Sequence, residues 1–225
     1  MSIRLLLCDL DGTLVDSLRD IVTSCNLLLT SYGAPALDES TIRPCIGRGV
    51  AYLVHGILRA ADCPVTDIDA AIARYREIYH AHALDETQLY PGVYDTLALL
   101  RKNVPDLRLA VVSNKPERAS REVLEAMQIE KYFSMIAGGD TFAEMKPSPL
   151  PLQSIMQMMG AAAEETAMVG DSVYDLQAGK AAGVRTIAAL YGFQPAEKLK
   201  ALEPDFSVSA FDEILNIVAE TNDVS

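Results

Sequence analysis

The stretch Ile3-Arg4-Leu5-Leu6-Leu7-Cys8-Asp9-Leu10-Asp11-Gly12-Thr13 decides how the chain is read. Residues 3–8 form a short apolar run that ends at once in acid, the pattern of a buried strand delivering its last residue into a tight loop. Two carboxylates one residue apart, at the carboxyl end of a buried strand, stand where α/β sheets place their sites. Burying such charge is costly unless a metal or a cation compensates it. Gly12 permits a sharp turn, and Thr13 offers a hydroxyl and an amide to an anion. Asp and Gly are also common in plain strand-end turns. By itself the motif leaves a turn and a site evenly matched.

Working outward, similar apolar runs recur at 107–112, 166–169 and 184–189, with a weaker one at 134–137. Helical patterns lie between them. Residues 116–127 open with proline at a first helical position. Ser148-Pro149 caps a second helix that stops at Gly160, and 173–182 end at Gly183. Apolar strands alternating with helices of about ten residues predict an α/β fold, a Rossmann-like parallel sheet with helices on both faces.

Residues 16–88 break the alternation, showing helical periodicity and no convincing strand. Ser17 with Asp20 three residues on resembles a capping box for a helix running to Gly33. Further helices fit 38–44, 50–60 and 66–83. The expected organisation is a discontinuous core, 1–15 and 89–225, carrying an inserted all-helical cap at 16–88. The return falls near the turn Tyr90-Pro91-Gly92.

Bulk properties narrow the function. Half of the 225 residues are hydrophobic and 22% are charged, the composition of a folded globular chain. A net charge of −12 opposes a general binder of nucleic acid or anionic membrane. It leaves open a small anionic substrate, because a pocket can be locally positive on an acidic protein. The apolar start is too short for a signal peptide, and no stretch approaches a membrane span. Cys8, Cys25, Cys45 and Cys63 lie far apart without a Cys-x-x-Cys pair, which suits neither a disulfide framework nor a zinc cluster. His80 and His82, two apart, point to different faces of a helix. A reducing, cytoplasmic setting is the default.

The later strand ends supply complementary groups. Ser113-Asn114 brings a hydroxyl and an amide. Lys146, before Pro147, brings a point cation suited to phosphate. Gly170-Asp171-Ser172-Val173-Tyr174-Asp175 places two acids four apart at a turn from strand into helix, where they can converge on a cation. Such an oxygen-ligand set suits Mg2+ better than zinc or copper. Nucleophile, metal and cation together match the needs of phosphoryl transfer.

These four elements, in this order, resemble the haloacid dehalogenase superfamily of phosphatases, and within it the phosphoglycolate-phosphatase-like group with a helical cap. The likeness runs through nearly the whole chain and includes the insertion point of the cap. It implies that Asp9 attacks phosphorus and becomes an aspartyl phosphate. It implies that Asp11 serves as acid and then base while its backbone carbonyl binds Mg2+. Ser113, with Asn114 and Thr13, would contact the phosphoryl group, and Lys146 would neutralise charge there. Asp171 would ligate the metal, with Asp175 as a second ligand or an orienting group. An aspartate at position 11 favours phosphate esters over carbon–halogen or phosphonate substrates.

Gly47-Arg48-Gly49 reads either as a cap loop contacting a substrate carboxylate or phosphate, or as a helix-joining turn. The group's similar Gly-Arg-Gly segment favours the former. Lys115 can add positive potential near the phosphate, whereas Arg118 fits a solvated helix start. The expected reaction is hydrolysis of a small phosphorylated metabolite, with 2-phosphoglycolate leading, by a monomer or homodimer. A phosphosugar mutase, a pyrophosphatase or a nucleotidase would use the same scaffold. The acidic loop after the first strand and the absence of Gly-x-Gly-x-x-Gly argue against dinucleotide binding.

Overall fold

The computed structural model describes residues 2–223. The chain divides into two compact units, Met1–Asp16 with Leu89–Ser225, and Ser17–Gln88. In chain order β1 (Leu5–Cys8) and the two-residue β2 (Val15–Asp16) precede the helices α1 (Leu18–Ser31), α2 (Glu39–Ile42), α3 (Gly49–Ala60) and α4 (Ile68–His82). The chain returns through β3 (Gln88–Leu89), α5 (Val93–Asn103), β4 (Arg108–Val112), α6 (Glu117–Ala126) and β5 (Met135–Ala137). It closes with α7 (Leu150–Met159), β6 (Thr166–Gly170), α8 (Val173–Ala182), β7 (Arg185–Ala189), α9 (Ala196–Lys200), β8 (Phe206–Val208) and α10 (Ile214–Asp223).

The larger unit is built on a six-stranded sheet of order β5-β4-β1-β6-β7-β8, parallel at every pairing. This is the parallel α/β sheet that the apolar runs predict. Strand β1 lies inside it, and its four residues are all buried. Leu6 and Cys8 pack on one face with Val93 and Leu97 of α5, Val123 of α6 and Ile214 of α10. Leu5 and Leu7 pack on the other with Leu152 and Ile155 of α7 and Ala178 of α8. Covering on both sides explains why these strands read as continuous apolar runs instead of alternating ones. Strand β8 and helices α5, α9 and α10 have no counterpart in the sequence reading. β8 is three residues long and half exposed at the sheet edge, too short for a period-two signal.

The smaller unit is helical, with Leu28 and Leu29 of α1, Val54 and Ile57 of α3 and Ala71 of α4 buried. Its start corrects one expectation. Ser17 precedes α1 but makes no side-chain cap bond. The buried Asp20 carboxylate instead accepts the Glu86 and Thr87 N–H groups at 3.0 and 2.8 Å and the Thr87 hydroxyl at 2.7 Å. Two main-chain donors 66 and 67 residues away outcompete the local turn. Asp20→Ala strips both amides of their buried acceptor, at about 1–3 kcal/mol for each group left unpaired. A denaturant titration should show that loss; an unchanged midpoint would refute the fastening role.

Candidate active site

Neighbouring parallel strands end along one edge of the sheet. Cys8 is in register with Val111 of β4 and Val169 of β6. The residues that follow therefore emerge side by side: Asp9 after β1, Ser113 after β4 and Asp171 after β6. Main-chain bonds continue past the strands, from Asp9 N–H to the Val169 carbonyl and from Ser113 N–H to the Ala137 carbonyl, both at 3.0 Å.

Beyond Asp9 the chain coils around one acceptor. The Leu10 carbonyl takes the N–H groups of Thr13, Leu14 and Val15 at 3.2, 2.9 and 3.1 Å. Gly12 carries φ +85°, and a Cβ there would fall on the Asp171 carboxylate. Both backbone conformation and space therefore demand glycine. Gly170 is needed for space alone, because a Cβ would overlap the Asp175 carboxyl group. Asp171 is held by the Phe193 N–H at 2.7 Å and the Thr13 hydroxyl at 3.2 Å. The Tyr191 hydroxyl in turn donates to the Thr13 carbonyl at 2.9 Å.

Lys146 ties the edge together. Its Nζ lies 2.5 Å from Asp175 Oδ1, 2.6 Å from the Val112 carbonyl and 3.0 Å from Asp9 Oδ1. The contact to Asp9 is a charge contact without hydrogen-bond alignment, so buried Oδ1 keeps its acceptor capacity. Asp175 Oδ2 accepts from the Ser172 N–H at 3.0 Å and the Ser172 hydroxyl at 2.6 Å, closing a capping box at the start of α8. The expectation set Asn114 on a phosphoryl group. In the fold both ends of its amide meet the main chain of Lys146, Nδ2 on the carbonyl at 2.8 Å and Oδ1 under the N–H at 3.0 Å.

Asp9, Asp171 and Asp175 each present a carboxylate oxygen within 4.8 Å of the others, and all three residues are buried. Burial first, and then the Asp175 charge, push the Asp9 carboxyl up to about 6, against the pull of Lys146. Burial, followed by the Asp9 and Asp175 charges, raises Asp171 well above the usual carboxylate range. Burial acts to lower the Lys146 ammonium, but the Asp175 and Asp9 charges prevail and raise it. Three acids thus face one cation, with an acceptor oxygen left over. That donor set fits a hard divalent cation bound through oxygen.

The other predicted residues separate into two places. Asp11 is not part of the three-acid cluster; both its oxygens lie 3.0 Å from Lys115 Nζ. Arg48 belongs to the helical unit, where its guanidinium sits 4.5 Å above the Tyr52 ring. Arg118 is exposed and paired with Glu122, as a solvated helix start implies.

A family model described as haloacid dehalogenase-like hydrolase matches residues 6–189, a span that includes Asp9, Asp11, Ser113, Lys146, Asp171 and Asp175. The chain belongs to the haloacid dehalogenase-like hydrolases. A phosphoglycolate phosphatase of Chromobacterium violaceum is 40% identical over 217 residues, covering 93% of this chain and 94% of that protein. One from Aquifex aeolicus is 35% identical over 219 residues, with 96% of each chain covered. A crystal structure described as a predicted phosphoglycolate phosphatase from Haemophilus somnus superposes with a TM-score of 0.88 at 30% identity. It covers 96% of this chain and 98% of that one.

In this haloacid dehalogenase-like hydrolase the loop after β7 braces Asp171 through the Phe193 N–H and Thr13 through the Tyr191 hydroxyl. Tyr191 reads from the sequence as a packing residue that can border the pocket, and Phe193 goes unmarked there. Neither residue sits in a charged motif, and one of the bonds comes from a main-chain amide. Among the described residues no helix is long and apolar enough to cross a membrane.

The raised carboxyls carry a pH signature in metal-free protein. A carboxyl with a raised folded-state pKa keeps its proton when the unfolded chain has lost it. For Asp9 the cost of folding therefore grows from its ordinary value of 3.8 to about 6 and persists above. The melting temperature in chelator should fall between about pH 4 and pH 6, less steeply for Asp9→Asn, and a divalent ion should restore more at the higher pH. Coincident profiles for the two proteins would show that Asp9 is not the strained group.

Proposed function

We propose that the chain is a magnesium-dependent phosphatase that hydrolyses a small phosphorylated carboxylate, with 2-phosphoglycolate as the substrate. The observation that carries this reading is the buried cluster of Asp9, Asp171 and Asp175 closed by Lys146 at one sheet edge. The names of the relatives supply the substrate.

Asp9, Asp171, Asp175 and the Asp11 carbonyl would hold Mg2+, which would supply positive charge against the phosphoryl oxygens. Asp9 acts as nucleophile: its carboxylate forms the bond to phosphorus as the bond to the substrate oxygen breaks. Asp11 gives that oxygen a proton, then takes one from the water that attacks the aspartyl phosphate, releasing phosphate and restoring Asp9. Lys146 keeps Asp9 oriented and offsets charge as the bond forms. Ser113 offers its hydroxyl to a phosphoryl oxygen, while Thr13 steadies Asp171. For Asn114 the bonds to the Lys146 main chain favour an orienting role over a substrate contact.

Phosphate release with Mg2+ should be greatest for 2-phosphoglycolate among sugar phosphates, nucleotides and pyrophosphate, and should vanish in chelator. Isomer formation without free phosphate would replace the reading by a mutase. Asp9→Asn should reduce turnover to background, and Asp11→Asn should lower it about 100- to 10,000-fold with the fold intact. Wild-type turnover in either variant would defeat the assigned chemistry. The assignment of Arg48 to substrate rests on the Gly47-Arg48-Gly49 resemblance. Arg48→Ala should raise KM for 2-phosphoglycolate more than for a phosphate ester lacking a carboxylate, and equal effects would remove Arg48 from the list of contacts.

A further inference from the structure

We propose that Lys115 is a positioning residue whose ammonium holds the Asp11 carboxylate out of the Asp9–Asp171–Asp175 cluster. The inference rests on reading that cluster as a divalent-cation site. Asp9 and Asp11 belong to one tight loop, yet only the first contributes an oxygen to the cluster. The Asp11 carboxylate turns to Lys115, with Nζ at 3.0 Å from Oδ1 and from Oδ2. A grip on both oxygens fixes the rotation of the carboxylate as well as its position. The side chains are 7% and 13% exposed, so the pair is shielded from the screening that weakens surface ion pairs.

The main chain under Lys115 is held too. Its carbonyl accepts the Gly139 N–H at 2.9 Å. A Cβ at Gly139 would press into the Asn114 backbone, so the segments after β5 and after β4 lie in close contact. The lysine therefore projects from a supported stretch next to Ser113. Two lysines consequently divide four acids. Lys146 lies among Asp9 and Asp175, while Lys115 takes Asp11 away from them. Hard cations gather carboxylates, and a carboxylate on a divalent ion is held in its ionised form. Left without its lysine, Asp11 would be drawn in as an additional ligand and lost as a proton carrier.

The test is calorimetric titration of Mg2+ into the metal-stripped full chain, with kinetics on 2-phosphoglycolate beside it. Lys115→Met should bind Mg2+ about tenfold more tightly than wild type. Losing a nearby positive charge would also tighten binding, so the deciding comparison is made in the Asp11→Asn background. There the same lysine change should bring no gain. Lys115→Gln is carried in parallel, with the same expectation, in case the methionine variant fails to fold. In kinetics kcat should fall at least about tenfold with KM within about twofold of wild type. An unchanged affinity, or a gain that persists with Asp11→Asn, overturns the role of Lys115 while leaving the metal site standing. A raised KM with kcat retained makes the lysine a substrate contact and also overturns it. Absence of Mg2+ binding by wild type overturns the metal site and this inference together.

Discussion

A buried ammonium among buried carboxylates is the constraint on which the rest of this protein depends. Lys146 Nζ meets Asp175, the Val112 carbonyl and Asp9 within 3.0 Å, linking the ends of three adjacent strands. Removing one partner from such a set leaves uncompensated charge in a poorly solvated place, whereas apolar residues of similar volume can be as stable or more so. The sheet edge therefore gains little stability from being charged. Its groups are explained by chemistry, and the surrounding fold is arranged to tolerate them. The bonds from Asn114, Ser172, Thr13 and Phe193 are the means of that tolerance.

Different surroundings give like residues different work. Asp9 is raised by burial and the Asp175 charge, and Asp171 by burial and the charges of Asp9 and Asp175. Asp175 is held by Lys146 on one oxygen and Ser172 on the other. Asp11, two residues from Asp9, faces its own lysine. One amino-acid type thereby meets three different electrostatic settings without any change in covalent structure.

Much of this was legible in the chain because of how parallel sheets are buried. Strands covered on both faces become uninterrupted apolar runs, and each ends where the polar site begins. That is why Asp9, Ser113 and Asp171 stand out in the sequence. Partnerships were less legible than positions. Asp20 sits where a capping box would place it, but its acceptors serve amides 66 and 67 residues on. Lys115 follows Ser113 as an apparent contributor of general positive potential, yet its partner Asp11 lies 104 residues back. Asn114 reads as a substrate contact, and its amide bonds a main chain 32 residues away that no local pattern reveals. Sequence windows register local pattern, and each of these choices was decided by tertiary contact. The edge strand β8 escaped for the opposite reason: three residues carry too little pattern to register.

The placement of β1 also governs the order in which a nascent chain can complete itself. Leu5 is synthesised long before its two flanking partners, Arg108 and Thr166. The strand that precedes Asp9 must wait, apolar and unpaired, until β4 and β6 have been made. The helices of Ser17–Gln88 make nearer contacts and can form in the interval, whereas parallel pairing across such separations is slow and leaves sticky surface uncovered. The three-acid edge is thus encoded in segments far apart and assembled only when the last of them has been made.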